Sequence, residues 1–256
     1  MMYRNGLVTG ASSGIGRALA HAMARDGVEV VLCARRKDEL ETLAREIELH
    51  GGHARVEVMD VGDPDRTVEQ IRRLDDELGG LDLVVANAGV GEKRGTDPHS
   101  WEAVRGSCEI NYTGAIATIT AVLPRMLERR RGHIAGVCSL ASFGALPGAA
   151  AYCAPKAGLS MFLDCLRLDL EDSGVFVTTI NPGFIRTAML EGAPHALPQL
   201  LDVDDAANTM WMRLRHQPAR IDFPQPLAWA TRLAGGLPRI LHDMLVKAVA
   251  APGTNR

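Results

Sequence analysis

The chain has 256 residues, 46% hydrophobic and 23% charged, too apolar for a disordered segment and long enough to bury a sizeable core. A formal net charge of -3 excludes a broad nucleic-acid footprint. No apolar run reaches the about 18 residues that a membrane span needs, and residues 1–5 lead straight into a strand pattern rather than a signal peptide.

Residues 6–9 read as a strand ending in a glycine-rich turn, after which Ile15, Leu19, Ala22 and Met23 recur at helical spacing. A continuous apolar strand spans 28–33, Leu40, Leu43 and Ile47 mark a helix face, and 54–59 alternates as a strand. Val68, Ile71, Leu74 and Leu78 form another helical stripe before a strand at 81–86. A helical region follows over about 108–130, which Pro124 is expected to bend or divide. The rhythm continues with a strand at 132–138, a helix at 152–172 and a strand at 175–180 that Asn181-Pro182-Gly183 ends. Residues 184–201 read as a mobile substrate loop, 203–216 as a helix and 220–223 as a last short strand. Continuous apolar strands separated by helices predict an α/β fold, a doubly wound parallel sheet with helices on both faces. The expected organisation is one domain over 1–256 with a C-terminal extension at 217–256.

Cys33, Cys108, Cys138, Cys153 and Cys165 include no CxxC pair and are odd in number, so they read as core residues of a reduced cytoplasmic protein. The turn Thr9-Gly10-Ala11-Ser12-Ser13-Gly14-Ile15-Gly16 lies between a strand and a helix. Glycines there let the backbone approach a pyrophosphate, which amides at the helix start stabilise. The turn lacks the Gly-Lys-Ser/Thr of an ATPase loop. Ala34-Arg35-Arg36 follows the second strand where an acid would favour NAD(H). Two guanidinium groups suit the 2′-phosphate of NADP(H), with Arg35 the expected direct contact and Ser12 a helper. The bland alternative is a pair of solvated arginines at a helix start. Asp60, next to Val61, could hold an adenine edge or merely cap the helix near Pro64.

Tyr152-Cys153-Ala154-Pro155-Lys156 places a phenol and an ammonium four residues apart on one helix face. A nearby cation stabilises phenolate, so such a Tyr can give and retake a proton. Ser139 follows a strand end, where its hydroxyl could stabilise an oxyanion. Asn111 lies within a helical region, where it could bend the helix around a water or satisfy a local backbone group.

Gly10, Gly14, Gly16, Asp60, Asn87-Ala88-Gly89, Asn111, Ser139, Tyr152, Lys156 and Pro182-Gly183 together resemble the short-chain dehydrogenase/reductase family, over about residues 4–188 and in family order. The resemblance implies that Tyr152 is the general acid in reduction and the base in oxidation. It implies that Lys156 holds the nicotinamide ribose and lowers the Tyr152 pKa, that Ser139 orients the carbonyl, and that Asn111 anchors a water relay. Asn87, Ala88 and Gly89 would support the cofactor, while Ile185 and Thr187 would touch the carboxamide end of the nicotinamide. Ser12, Ser13 and Ile15 belong to the same cofactor turn. Ala86 stands where the family often has a second Asn. A homodimer or homotetramer is implied, with the long helices near 108–130 and 152–172 burying apolar faces against a partner.

Phe184, Ile185, Met189, Leu190, Leu197, Leu200 and Leu201 supply apolar surface in the substrate loop, with Phe143, Leu146 and Pro147 as an opposite wall. His195 reads as a rim residue and Arg186 as a surface or cofactor contact. Beyond residue 217, Trp229, Leu233, Ile240, Leu241, Met244, Leu245, Ala248 and Val249 form helical stripes. These either pack over the pocket or against a second subunit, or rest on a membrane. The expected function is NADP(H)-dependent hydride transfer between nicotinamide and an apolar ketone or secondary alcohol. The alternatives are an NAD-dependent alcohol dehydrogenase and a non-catalytic NADP(H)-sensing regulator or scaffold, which would not need Asn111, Ser139, Tyr152 and Lys156 together.

Overall fold

The computed structural model describes residues 3–91, 97–190 and 197–249. Lys93, Glu191, Pro194 and His195, and the side chains of Lys247, Ala248 and Val249, lie outside the described residues. The strands are β1 (Asn5–Thr9), β2 (Glu29–Ala34), β3 (Ala54–Val58), β4 (Leu83–Ala86), β5 (Gly132–Val137), β6 (Val175–Pro182) and β7 (Arg220–Phe223). All pair in parallel, in the order β3-β2-β1-β4-β5-β6-β7.

Successive strand residues face opposite sides, so a strand buried on both reads as an unbroken apolar run. Val8, Val30 and Leu32 enter the core under α1 (Gly14–Arg25), α2 (Lys37–Leu49) and α7 (Val203–Leu214). Their neighbours Leu7 and Val31 enter a second core under α3 (Pro64–Glu77), α5 (Ala115–Glu128) and α6 (Ala150–Asp169). This is the expected doubly wound, Rossmann-like sheet. Strand order reverses between β1 and β4, and that switch point opens a crevice at the strand C-termini.

The long middle helix differs from expectation at its start and its break. It begins earlier, as α4 (Trp101–Cys108), capped by Ser100 Oγ accepting from the Ala103 N–H. It then runs through a π-helical stretch, Glu109–Gly114, into α5. Pro124 does not divide it, because the ring lies on the exposed face, where water can serve the carbonyl left without an N–H. α6 ends three residues before the expected 172, where Asp172 and Gly174 take positive φ. The extension forms α8 (Gln225–Gly235) and α9 (Arg239–Val249). No disulfide joins the five cysteines.

At the other end of the sheet, fully buried His133 links strands to the N-terminal segment. Its Nδ1 lies 2.7 Å from the Tyr3 hydroxyl and its Nε2 2.8 Å from Thr178 Oγ1. Thr178 donates to Pro218 O, so a neutral ring that accepts from Tyr3 and donates to Thr178 fits both contacts. Burial pushes the His133 pKa from 6.5 down to about 3. Below 6.5 the unfolded chain therefore binds a proton that the folded ring refuses, and stability falls as pH drops toward 3, by up to about 1.4 kcal/mol per pH unit. Thermal melts between pH 7 and 4 on a ~unit-step series should show His133→Gln less stable at neutral pH and less acid-sensitive than the parent. Parallel pH curves would refute a neutral buried ring.

Candidate active site

The site is assembled at the C-terminal edge of β1, β4 and β5. β1 ends at Thr9, whose Oγ1 accepts from the Asn87 and Ala88 N–H groups at 3.0 and 3.1 Å. Asn87 Nδ2 donates back to Thr9 O at 2.8 Å. This clip closes the crevice floor. Gly10 and Gly14 have φ of +70° and +54°, which side-chain-bearing residues rarely adopt. Gly16 must be small for another reason: a Cβ there would lie 2.4 Å from both Asn87 Nδ2 and Gly10 O.

Exposed Ser13 precedes α1 and makes no side-chain cap bond, so the first-turn N–H groups stay open to an anion. Thr187 faces Gly14, with Cγ2 3.3 Å from the position of a Cβ there. A groove of about 280 Å³ beside them is lined by Arg17, His21, Arg186 and Thr187 among others. Arg17 Nη1 is buried without a hydrogen-bond partner among the described residues, while Nη2 binds Glu46 at 2.6 Å. Open amides, an unpartnered guanidinium nitrogen and a glycine turn without room for side chains all suit a pyrophosphate. The sequence names Thr9 only as the first residue of the turn and gives no sign of its clip to Asn87 and Ala88 or of Arg17.

Arg36 precedes α2 and donates to buried Ser12 Oγ at 3.0 Å from Nη2 and 3.3 Å from Nε. Arg35 is exposed and makes no side-chain hydrogen bond among the described residues. The Ser12 partner is thus Arg36, while Arg35 stands in the bend that follows β2. Asp60 does not cap α3: its Oδ1 accepts from Gly62 N at 3.0 Å, and Asp63 caps the helix through Arg66 N. Buried Val61 rests on the π stretch, where a Cβ on Gly114 would lie 2.5 Å from Val61 O.

Asn111 is fully buried in that stretch and clips the segment after β4. Its Nδ2 donates to Val90 O at 2.9 Å and to Ser107 Oγ at 2.8 Å, while Oδ1 accepts from Val90 N at 3.0 Å. The backbone group it satisfies is therefore 21 residues away, not local. Oδ1 and Lys156 Nζ converge on Gly89, lying 2.8 and 3.3 Å from the position its missing Cβ would take. Lys156, buried on α6, donates to Val137 O at 2.8 Å, and burial lowers its pKa.

Ser139 leaves β5 in extended conformation and its Oγ accepts from Ala141 N at 3.1 Å, capping the 3₁₀ turn Leu140–Ser142. Tyr152 is half-buried in the first turns of α6, near Ser139. Burial raises its phenol pKa and the Ser139 hydroxyl opposes this.

Several apolar wall residues point elsewhere. Ile185 and Leu201 bridge each other's backbones and face the α1 core, so Ile185 offers the crevice only its main chain. Phe143 sits between the Arg220 and Arg232 guanidiniums at 5.5 and 5.7 Å, engaged by β7 and α8 rather than free to line a pocket. Arg186 pairs with Asp202 at 3.0 Å on the surface. Buried Pro182 ends β6, and Gly183 lies against Leu140, Pro224 and Leu227.

A Rossmann-like sheet with an uncapped glycine turn and a Ser-Tyr-Lys edge defines a dinucleotide-dependent oxidoreductase class. A family model for short chain dehydrogenases matches residues 4–197, and the chain belongs to that family of oxidoreductases. An uncharacterized oxidoreductase of Myxococcus xanthus is 48% identical over 243 residues, 95% of this chain and 96% of that one. Among solved structures, a short-chain dehydrogenase from Sphingobium yanoikuyae in complex with NADPH superposes with TM-score 0.79 at 26% identity, covering 92% of this chain and 96% of that one. A 3-oxoacyl-[acyl-carrier protein] reductase with bound NAD from Brucella melitensis gives 0.73 at 28% identity, covering 86% and 89%. The family's fold binds NAD(P).

Proposed function

We propose that the protein is an NADP(H)-dependent reductase or dehydrogenase, working in the cytoplasm on a ketone/secondary-alcohol pair of apolar character. The observation that carries this reading is the convergence of Lys156 Nζ and Asn111 Oδ1 on Gly89 at the crevice edge, where α6 also carries Tyr152 near Ser139. When bound, the nicotinamide supplies or accepts the hydride at its C4. Ser139 donates a hydrogen bond to the carbonyl oxygen as charge builds there, and Tyr152 delivers the proton. The raised phenol pKa keeps that proton in place at neutral pH, which suits reduction. Lys156, whose ammonium has donors beyond the one given to Val137 O, would hold the ribose hydroxyls and stabilise the phenolate left behind. Asn111 fixes Val90 and with it the Asn87–Ala88–Gly89 floor.

NADP(H) is favoured over NAD(H) by the absence of an acid after β2 and by the Arg36–Ser12 contact beside exposed Arg35. Solved neighbours carry either cofactor, NADPH in the Sphingobium protein and NAD in the Brucella one, so the choice rests on this chain's own residues. A homo-oligomer fits the exposure of Trp101, Met161 and Leu168 on α4 and α6. Absorbance of NADPH followed against a panel of aliphatic and aromatic ketones tests the reading. Turnover of at least one apolar ketone, faster with NADPH than NADH, is expected. Tight NADPH binding with no turnover of any carbonyl would favour the sensor alternative.

A further inference from the structure

Phe143 closes the 3₁₀ turn that Ser139 caps. Its N–H donates to Leu140 O at 3.2 Å, and the Ser142 N–H donates to Ser139 O at 3.0 Å. With the Ala141 N–H on Ser139 Oγ, these bonds make residues 139–143 one unit. Pinning the last residue of such a unit pins the first, and a reacting hydroxyl needs its supports locked in that way. Beyond the turn the chain runs exposed over 145–148 before α6 begins. What holds Phe143 therefore decides where Ser139 stands.

Two guanidiniums lie over its ring, Arg220 at 5.5 Å and Arg232 at 5.7 Å from the ring centre. A cation there is attracted by the negative face of the aromatic system. Each guanidinium is itself fixed by an acid. Arg220, on β7, pairs with Asp164 of α6, the helix that carries Tyr152 and Lys156. Arg232, on α8, pairs at 3.1 Å with buried Asp222, whose other oxygen accepts from Asn181 Nδ2 at 2.8 Å. Asn181 stands just before Pro182-Gly183 at the end of β6. The main chain is held as well: a Cβ on Gly235 would lie 1.8 Å from Phe143 O, so only glycine lets α8 approach this closely.

We propose that Phe143 is a positioning residue for Ser139, held by Arg220, Arg232 and Gly235, so that β7 and α8 set where the Ser139 hydroxyl stands relative to Tyr152. One tie runs to α6 and the other to the paired ends of β6 and β7, and together they over-determine the ring. A hydroxyl that must meet a developing oxyanion needs that precision, because small misplacements of a reacting group are costly. The role in turnover rests on the carbonyl-reduction reading, whereas the anchoring of the turn does not.

Two variants of the full chain test this. Phe143→Leu keeps an apolar side chain without the ring face and leaves both ion pairs intact, so the test survives if Arg232→Met fails to fold. Each variant should lower kcat for ketone reduction at least about tenfold with NADPH affinity within about twofold, because the Thr9–Gly16 turn is untouched. Phe143→Tyr, which keeps the ring, should bring kcat back to within about threefold of the parent. Losses in the double variant should not add, since both changes break one contact. Amide hydrogen exchange reads the turn without turnover: the Ala141 N–H should exchange at least about tenfold faster in both variants while β1 and α1 amides keep parent rates. Parent values of kcat and Ala141 exchange in Phe143→Leu overturn the proposal, as does faster exchange at undiminished kcat or an equal loss of NADPH affinity. A loss of kcat with unchanged exchange would make Phe143 a substrate contact instead. A parent that reduces no ketone defeats the reaction reading, and the exchange result alone then decides the anchoring.

Discussion

Tyr152→Phe should lower turnover by a factor of about 10²–10⁴ while leaving NADPH affinity within about twofold, the loss expected when a positioned proton donor is removed. The substitution deletes one oxygen and preserves the ring that α6 half-buries, so the fold has little reason to respond. Ser139 keeps the bond it accepts from the Ala141 N–H and hence its place. Stopped-flow transfer to a ketone, with NADPH binding titrated separately by fluorescence, separates the two effects. Undiminished turnover would mean that the proton comes from elsewhere, and a parallel collapse of binding would mean that Tyr152 holds the pocket's shape.

The second large effect concerns which dinucleotide is chosen. Arg35→Ala with Arg36→Ala should weaken NADPH binding about 10- to 100-fold, the scale of one or two charge-assisted hydrogen bonds, and leave NADH binding nearly unchanged. The single variants should divide this unequally. Arg36 is anchored on Ser12 Oγ, so its loss frees that hydroxyl as well, whereas exposed Arg35 offers only its own charge. Equal losses for both cofactors would reduce the pair to surface arginines and return NAD(H) to favour.

The parallel sheet was legible because each buried strand is apolar on two faces, and the Thr9–Gly16 turn because it falls between a strand and a helical stripe. α4 was missed because much of its surface is exposed, with Ser107 its sole buried residue, so no apolar stripe announces it. The Arg36–Ser12 bond was not legible, because adjacent residues of like charge do not reveal side-chain direction. Phe143 looked like a pocket wall since nothing local to it signals that Arg220 and Arg232, some 80 to 90 positions onward, close over its ring. The Lys156–Tyr152 spacing correctly put both on α6, but whether the ammonium faces the phenol or Val137 O is decided by tertiary packing.

The π-helical Glu109–Gly114 stretch has a consequence for which changes the chain can absorb. An α-helix turns about 100° per residue, so an added or lost position rotates everything on one side of it relative to the other. The wide turn accommodates one such surplus position between α4 and α5, letting Asn111 bond both Ser107 and Val90 while Ile119 and Val122 still face the sheet. A one-residue deletion here would restore regular pitch and break that phase relation. Lineages drifting in length should therefore spare this stretch and vary instead in the connections outside the layered core.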